Sequence, residues 1–514
     1  MGSNMTSQTI KKVSINWHKK MAILAGITLL IWGGSGLFHT LMVHFGPQQA
    51  VFYPPSRAVD LSTMKPVKEI LEPASITQAA AVRVVPGPDQ NLLQVTETPF
   101  KPRRYFNLET GAELIGHDQE QAVFLARHYT GSDTPIRAIT FVTEFNGSYP
   151  SVNRLLPVYK VDFDSDDDLS IYVYTETGAS AAVNNRAKTI LQTGFQWFHT
   201  LSWFPKDVEI IRVLVVLVLI GSLLIMSLSG LGMLLKIKRK KRAPGLRGWH
   251  RLATFGLGFP VFLLTVSGIF HLVSMTGVPD STYLQLPEPM QLADVDFPIE
   301  QQWADISKGL NVTSVSLVKS PDGEALYRLG LRPNRGQGPE SAADIRSARF
   351  AGVPTNGPAV YMNARTGQPY ADGDQEIARQ LAEYYTGETR DSIKSMDLIT
   401  RFGPLYDFRN KRLPVWKVDY GDPVSASIFI DTTTGVLADK LPYSAIPERM
   451  SFSLAHKWNF LRAFGGPAQN IIVMTIVSLS LIFLAGFGLR IALVKPGRKA
   501  KRPGPKAAEG TPAE

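Results

Sequence analysis

Two stretches of this chain share seven residues in register: WHKKMAILAGITLLIWGGSGLFH at residues 17–39 and WHRLATFGLGFPVFLLTVSGIFH at residues 249–271. Trp, His, Gly, Ser, Gly, Phe and His recur in them in the same order at a constant offset of 232. Further along, LPVYKVDF at 156–163 is answered by LPVWKVDY at 413–420, an offset of 257. A repeated order of motifs indicates duplication of one structural unit. The chain is therefore predicted to be a tandem repeat of helix, folded domain and helix.

Four uncharged stretches are long enough to cross a bilayer as helices. They are Met21–Val43, Val213–Leu235, Leu252–Ser274 and Ile471–Leu489. We expect transmembrane helices over 21–43, 209–235, 252–274 and 470–494. A cleaved signal peptide is the alternative for the first stretch, but its apolar run is too long and recurs as the third span.

Basic residues mark one side of the predicted membrane. Residues 1–20 carry four Lys and no acid, and the loop 236–251 carries eight Lys and Arg and no acid. The tail 495–514 is also basic. The positive-inside rule places all three in the cytoplasm and leaves residues 44–208 and 275–469 as α+β domains on the far side. Because the basic run lies between two spans, it indicates topology and not nucleic-acid binding.

Composition limits the chemistry that the chain can perform. It has 514 residues, a formal net charge of +10 and no cysteine. Disulfides, thiolate zinc sites, iron–sulfur clusters, thiol nucleophiles and covalently attached c-type haem are thereby excluded. Any metal must be held by His, Met or oxygen ligands.

The repeat sorts the nine histidines of the chain. An ionisable residue in a membrane span is costly and suggests function. We would interpret a single His beside Trp as an interfacial anchor. Because equivalent histidines recur in both repeats, a functional role is favoured. Three residues without a counterpart, His44, His117 and His128, are expected to be structural or surface residues. The six others form equivalent pairs: His18 with His250, His39 with His271, and His199 with His456.

The spacing of the paired histidines favours haem. His18 and His39 are separated by 21 residues, which is about 31 Å and within about 60° of one helix face. Gly36 and Gly268 would let a flat macrocycle approach, although helix packing through small residues explains them equally well. Symmetrically presented imidazoles suit axial ligation of haem iron, whereas zinc or copper transport would more often bring acids, Cys or Met rows. The residues therefore favour haem b.

The chain resembles the PepSY-associated transmembrane proteins, and among them the inner-membrane siderophore ferrireductases. The resemblance covers almost the whole chain and rests on the two repeated stretches above, on LPVYKVDF and LPVWKVDY, and on FHTLSWF (198–204) and LAHKWNF (454–460). It implies an integral-membrane four-helix core with two periplasmic α+β PepSY-like domains. It also implies a multi-pass protein of the bacterial inner membrane with cytoplasmic termini.

The resemblance further implies electron transfer through b-type haems to a periplasmic ferric siderophore. Reducing Fe(III) to Fe(II) weakens its hold on hard oxygen ligands and releases the iron. His18 and His250 are the implied pair for a cytoplasmic-side haem. The pairing of His39, His199, His271 and His456 on the periplasmic side stays open, which gives two or three haems. The chain has no nicotinamide or flavin fingerprint, so the donor is a separate quinol, reduced flavin or protein.

Substrate contacts and alternative functions complete the expectations. Candidate contacts near the membrane surface are Trp203, Tyr406, Arg409 and Trp458, although an interfacial aromatic belt explains them equally well. The main alternative function is a membrane-anchored PepSY module that restrains a protease or senses a ligand without redox activity. That alternative leaves the three histidine pairs unexplained. A divalent-metal permease is disfavoured because no span carries an acid.

Overall fold

The computed structural model describes residues 2–236, 245–278, 284–320, 322–331, 352–353, 359–370 and 373–494. These residues divide into two compact units. The helical unit contains residues up to Leu37, Phe198–Ile269 and the chain from Thr475 onward. The sheet-rich unit contains Phe38–Trp197 and Phe270–Met474.

The helices of the described residues are, in chain order, α1 (Gly2–Phe45), α2 (Val67–Leu71), α3 (His117–Thr130), α4 (Arg186–His199), α5 (Glu209–Lys236), α6 (Leu246–Met275), α7 (Trp303–Ile306), α8 (Gly373–Thr386), α9 (Ile446–Ser451) and α10 (Arg462–Leu493). A single turn of π-helix, Phe452–His456, follows α9. The sequence predicts a helix at residues 117–130 and another at 374–386, and both form, as α3 and α8.

The strands are β1 (Gln78–Ala79), β2 (Ala81–Pro86), β3 (Asn91–Thr96), β4 (Arg104–Asn107), β5 (Ile136–Val142), β6 (Val158–Phe163), β7 (Ser170–Tyr174), β8 (Ala179–Asn184), β9 (Met290–Gln291), β10 (Val312–Lys319), β11 (Ala325–Leu331), β12 (Val360–Asn363), β13 (Ile393–Ile399), β14 (Val415–Tyr420), β15 (Ala426–Asp431) and β16 (Val436–Pro442). All of them lie in the sheet-rich unit.

Among the described residues, four helices are long and apolar enough to cross a membrane, as the sequence predicts. The qualifying segments are Gln8–Phe45, Glu209–Lys236, Leu246–Met275 and Asn470–Leu493. A helix satisfies its own backbone hydrogen bonds, which is the requirement for a chain in lipid. The first helix continues beyond the uncharged stretch at both ends, because nothing between Gly2 and Phe45 interrupts it.

Small residues bring the helices of the helical unit close together. A Cβ added at Gly26 would lie 2.7 Å from Leu489, and one added at Gly36 would lie 3.4 Å from Ser478, so α1 packs on α10. A Cβ at Gly258 would lie 3.2 Å from Leu231, so α6 packs on α5. Close backbone approach through glycine is the usual way in which membrane helices associate. Gly36 therefore serves helix packing, which the sequence left open.

The two repeats share one six-stranded sheet of order β12-β11-β10-β2-β3-β4. Each repeat supplies three strands, and the halves join where β2 pairs antiparallel with β10. Arg83 lies opposite Ser316, and the flanking pairs are Val82 with Leu317 and Val84 with Val315. The short strands β1 and β9 also pair across the repeats. An antiparallel joint between equivalent strands is what twofold symmetry requires.

Each repeat also has a four-stranded antiparallel sheet covered by a helix. The sheet β5-β6-β7-β8 packs on α3, and the sheet β13-β14-β15-β16 packs on α8. Tyr129 of α3 is fully buried with Phe163 and Val161 of β6, and Leu381 of α8 is buried with Val418 of β14. Apolar side chains alternate toward the helix along these strands, which is why each sheet keeps its register.

A buried carboxylate joins the three sheets. Glu176, just after β7, accepts hydrogen bonds from Arg103 (3.1 Å), which precedes β4, and from Arg412 (2.9 Å), which precedes β14. Tyr174 donates a third hydrogen bond at 2.8 Å. Burial alone would raise the pKa of Glu176, but the guanidinium groups of Arg412 and Arg103 outweigh burial and lower its pKa to about 2. Glu176 is therefore charged and holds two buried cations in place.

We expect Glu176→Ala to destabilise the chain by about 3–5 kcal/mol, because it removes the ion-pair partner of the buried Arg103 guanidinium and leaves Arg412 paired with Asp431 alone. The measurement is thermal unfolding of the detergent-solubilised chain followed by tryptophan fluorescence. The wild-type chain should also lose stability as the pH falls from about 4.5 toward 2, where Glu176 takes up a proton in the folded state. Glu288→Ala is the control, since its ion pair with Lys319 is exposed. Equal shifts in the two variants would contradict this role.

Candidate functional site

The helical unit brings the first predicted histidine pair together. His18 on α1 and His250 on α6 have ring centroids 6.3 Å apart, with ring planes inclined by 63°. The Nδ1 atom of His18 lies 3.3 Å from the hydroxyl of Ser229 on α5. The Nδ1 atom of His250 is buried and has no hydrogen-bond partner among the described residues. Two imidazoles from different helices thus face one region of an apolar bundle.

Glycines on the facing helices leave room beside these rings. A Cβ added at Gly230 of α5 would lie 3.7 Å from Cε1 of His18. A Cβ added at Gly488 of α10 would lie 3.3 Å from Cε1 of His250. Larger residues at these positions would crowd the rings. The sequence pointed to Gly36 and Gly268 for this purpose, whereas Gly230 and Gly488 are the glycines that lie against the imidazoles.

The donor set fits haem iron. The imidazole of His is a usual protein ligand of haem iron, and here two imidazoles from different helices have centroids 6.3 Å apart. The buried Nδ1 of His250 is a ring nitrogen still available for a partner. Within the described part of the chain no three His, Asp or Glu side chains cluster to hold a bare metal ion. Two histidines without further ligands suit a macrocycle that supplies the other four.

A second cluster lies in the sheet-rich unit and belongs to the second repeat. The Nδ1–H of His271, on α6, donates to the carboxylate of Glu448 at 2.5 Å. The ring of Phe452 stacks on His271 with centroids 3.9 Å apart, and His456 stacks on Phe452 at 4.9 Å. A carboxylate on Nδ1 fixes the tautomer and leaves Nε2 as the coordinating atom. We name His271, Glu448, Phe452 and His456 the outer histidine cluster.

The first repeat has a partial counterpart of this cluster. His39 packs beside Phe195, with centroids 5.5 Å apart. Phe195 and Phe452 are equivalent in the repeat, and each precedes a paired histidine by four residues. Leu191 stands where the second repeat has Glu448. The two outer histidines of α1 and α6 therefore have different polar surroundings.

The sixth paired histidine is oriented within the helical unit. His199 at the end of α4 has its Nδ1 atom 3.0 Å from the hydroxyl of Ser35. The indole Nε1–H of Trp32 donates to the backbone carbonyl of His199 at 2.9 Å. These contacts tie His199 to α1.

The unpaired histidines have local roles. His117 is buried, and its Nδ1 lies 2.7 Å from Glu120. The Nε2 atom of His128 lies 3.0 Å from the backbone carbonyl of Tyr53, and His44 packs edge-on against Phe45. These contacts agree with the structural or surface roles expected for them.

The four candidate substrate contacts lie in different settings. Trp203 is exposed and packs on Phe204. Arg409 is bound bidentately by Asp407 at 2.6 and 3.1 Å. Trp458 has a left-handed backbone and donates to the carbonyl of Ala455. Tyr406 is buried between Phe402 and Phe429, and its hydroxyl donates to the carbonyl of Arg412. Tyr406 therefore serves the core and offers no surface to a ligand.

Sequence reasoning missed three residues of the outer histidine cluster and its surroundings. Phe452 and its counterpart Phe195 could have been found from the sequence, because the motif Phe-x-x-x-His ends at His456 and again at His199. Glu448 carries no such signal, since the repeat has Leu191 there. Lys457, whose ammonium lies 4.6 Å over the Phe452 ring, follows His456 directly but has Thr200 as its counterpart.

Comparison with known proteins adds no assignment. The chain matches no family model, and no curated protein matches it.

We expect Gly488→Val to lower the haem content of the purified chain. The valine Cβ would lie only 3.3 Å from Cε1 of His250, so the side chain would push the imidazole ring aside. Haem per chain is measured by the pyridine haemochrome method. Gly486→Val is the matched control, since nothing lies within 4 Å of a Cβ added there on the same helix. If the two variants bind equal amounts of haem, the space that Gly488 leaves beside His250 is not needed for haem binding.

We expect Glu448→Gln to raise the rate of haem loss about tenfold, because His271 would lose the charged acceptor that orients its ring. The measurement is transfer of haem to an excess of apomyoglobin. The control is Glu120→Gln, which changes another carboxylate on a histidine Nδ1, that of His117. Unaltered haem loss in Glu448→Gln would remove His271 from the set of ligands.

Proposed function

We propose that this chain is a haem-b oxidoreductase of the bacterial inner membrane that reduces a ferric siderophore in the periplasm and so releases iron. The observation that carries the proposal is the imidazole pair of His18 and His250, 6.3 Å apart in an apolar bundle. The resemblance to PepSY-associated ferrireductases and the basic cytoplasmic segments support the direction of transfer.

The chain's own residues have defined tasks in this proposal. His18 and His250 would hold the iron of the inner haem, and two imidazole ligands would favour electron transfer over oxygen binding. Ser229 orients the His18 ring through its Nδ1 atom, at 3.3 Å, and the apolar faces of α5 and α10 exclude water. Bound haem supplies a centre that accepts and gives up one electron at a time.

The outer histidines form the exit of the proposed route. Glu448 keeps Nδ1 of His271 occupied, so that Nε2 is the atom presented to iron. Phe452 stacks on both His271 and His456 and holds their rings nearly parallel to its own. His39 and His199 complete the set on the periplasmic side in this proposal. The electron donor is a separate quinol, reduced flavin or protein.

Release of iron follows from reduction alone. Hard oxygen ligands of a siderophore hold Fe(III) tightly and Fe(II) less well. One electron delivered to the chelate weakens every metal–oxygen bond at once, and no acid–base residue is needed. The protein's contribution is to position a redox centre near the chelate and keep the route dry.

We expect His18→Ala and His250→Ala each to remove the same haem, while His39→Ala and His271→Ala leave that haem in place. The measurement is an absorption spectrum of the purified chain before and after dithionite, with haem quantified per chain. The reduced wild-type chain should be reoxidised by a ferric siderophore. A chain that stays colourless after loading with haem would end this proposal and favour the PepSY binding module; unchanged haem in all four variants would remove the ligand assignment.

A further inference from the structure

Helix α4 has an apolar face that the described part of the chain leaves largely exposed. No residue of this helix is buried among the described residues, although half of its side chains are apolar. Ile190 is 64% exposed, Trp197 53% and Phe198 49%. Ile190 and Trp197 are seven residues apart, which places them on one line along the helix. An exposed apolar face of this kind indicates contact with a partner.

The polar side of α4 is bound to the sheet-rich unit. The side-chain Nε2 groups of Gln192 and Gln196 both donate to the backbone carbonyl of Gly147, at 2.9 and 3.1 Å. The ammonium group of Lys188 donates to the backbone carbonyl of Val183. These hydrogen bonds fix the rotation of the helix about its own axis, and they leave the face with Ile190 and Trp197 turned outward.

A further side of α4 packs on the outer part of α1. A Cβ added at Gly194 would lie 3.1 Å from the ring of Phe38, and Phe195 packs beside His39 with centroids 5.5 Å apart. Both contacts fall inside the uncharged stretch of α1, which continues to Val43. The C-terminal half of α4 therefore lies alongside a segment that is apolar enough to cross a membrane.

We infer that the face of α4 that carries Ile190, Trp197 and Phe198 binds lipid, in the leaflet that holds the His39 end of α1. The surroundings of a membrane span are lipid hydrocarbon, so a helix packed against a span presents its opposite side to the same surroundings. Trp and Phe favour the boundary between headgroups and acyl chains. The next span, α5, follows α4 closely in the chain. This inference stands without the proposed function, because it requires no haem.

The absence of cysteine from the chain permits a direct test by site-directed spin labelling. Ile190→Cys and Trp197→Cys are each labelled with a nitroxide, and the full chain is reconstituted into phosphatidylcholine vesicles. Collision of the nitroxide with oxygen, which concentrates in hydrocarbon, is compared with its collision with a water-soluble nickel chelate. Gln192→Cys is the control on the domain side of the same helix. Ile115→Cys is the control for an exposed isoleucine just before α3.

Lipid contact predicts a ratio of oxygen to nickel collisions about tenfold higher at positions 190 and 197 than at position 115, because an interfacial helix buries its apolar face about 5–10 Å into the boundary between headgroups and acyl chains. The label at position 192 should collide little with either reagent, since the side chain there faces Gly147.

Two results would overturn the inference. Equal collision ratios at positions 190, 197 and 115 would show that the face meets water. Low collision with both reagents at 190 and 197, with spin–spin broadening that disappears on dilution with unlabelled chain, would show that a second copy of the chain covers the face. Neither result depends on haem content, so failure of this inference is distinct from failure of the proposed function.

Discussion

The interior of an apolar helix bundle is a difficult place for an imidazole, because it offers neither water nor charge to the ring nitrogens. His18 and His250 lie near the basic ends of α1 and α6, where Lys19, Lys20 and Arg251 follow them in the sequence. Ser229 serves one ring nitrogen of His18, and Nδ1 of His250 has no hydrogen bond within the described residues. Gly230 and Gly488 keep the facing helices from crowding the rings. Under the proposed function, this pair of rings is what holds the inner haem.

Duplication gives the protein pairs of equivalent histidines, and the surroundings of the two members differ. The sheet shared by the repeats is symmetrical where β2 meets β10. The charged residues that hold the repeats together are not symmetrical, because Glu176 of the first repeat has Thr433 as its counterpart in the second. The same holds at the outer histidines, where Glu448 and Lys457 are present in the second repeat only. A symmetrical frame therefore carries one set of charged residues at the outer histidines, and both of them come from the second repeat.

Hydropathy and the repeat were sufficient to predict the four apolar helices, the tandem organisation and two of the domain helices, because these depend on long patterns. The repeat made His18 and His250 equivalent, and the family resemblance implied that they form one pair. Contacts between segments that are far apart in the sequence could not be predicted from it. Nothing in the sequence shows that Tyr406 is enclosed by Phe402 and Phe429, or that a carboxylate at position 448 meets a histidine 177 residues earlier. For the same reason, glycine spacing along one helix pointed to Gly36 and Gly268, whereas the glycines beside the imidazoles are Gly230 and Gly488 on the facing helices.

The length of α1 constrains any electron route through this fold. His18 and His39 lie 21 residues apart on this uninterrupted helix, a rise of about 31 Å, which is far for a single transfer. Trp32 lies between them, 14 residues after His18, and its indole donates to the carbonyl of His199. Ser35, one turn further on, contacts the ring of the same histidine. His199 therefore contacts α1 at the level of Trp32, and under the proposed function an intermediate carrier would lie there. Under the proposed function, loss of a haem on changing His199 would indicate three centres, and its retention would leave the aromatic ring of Trp32 to bridge two.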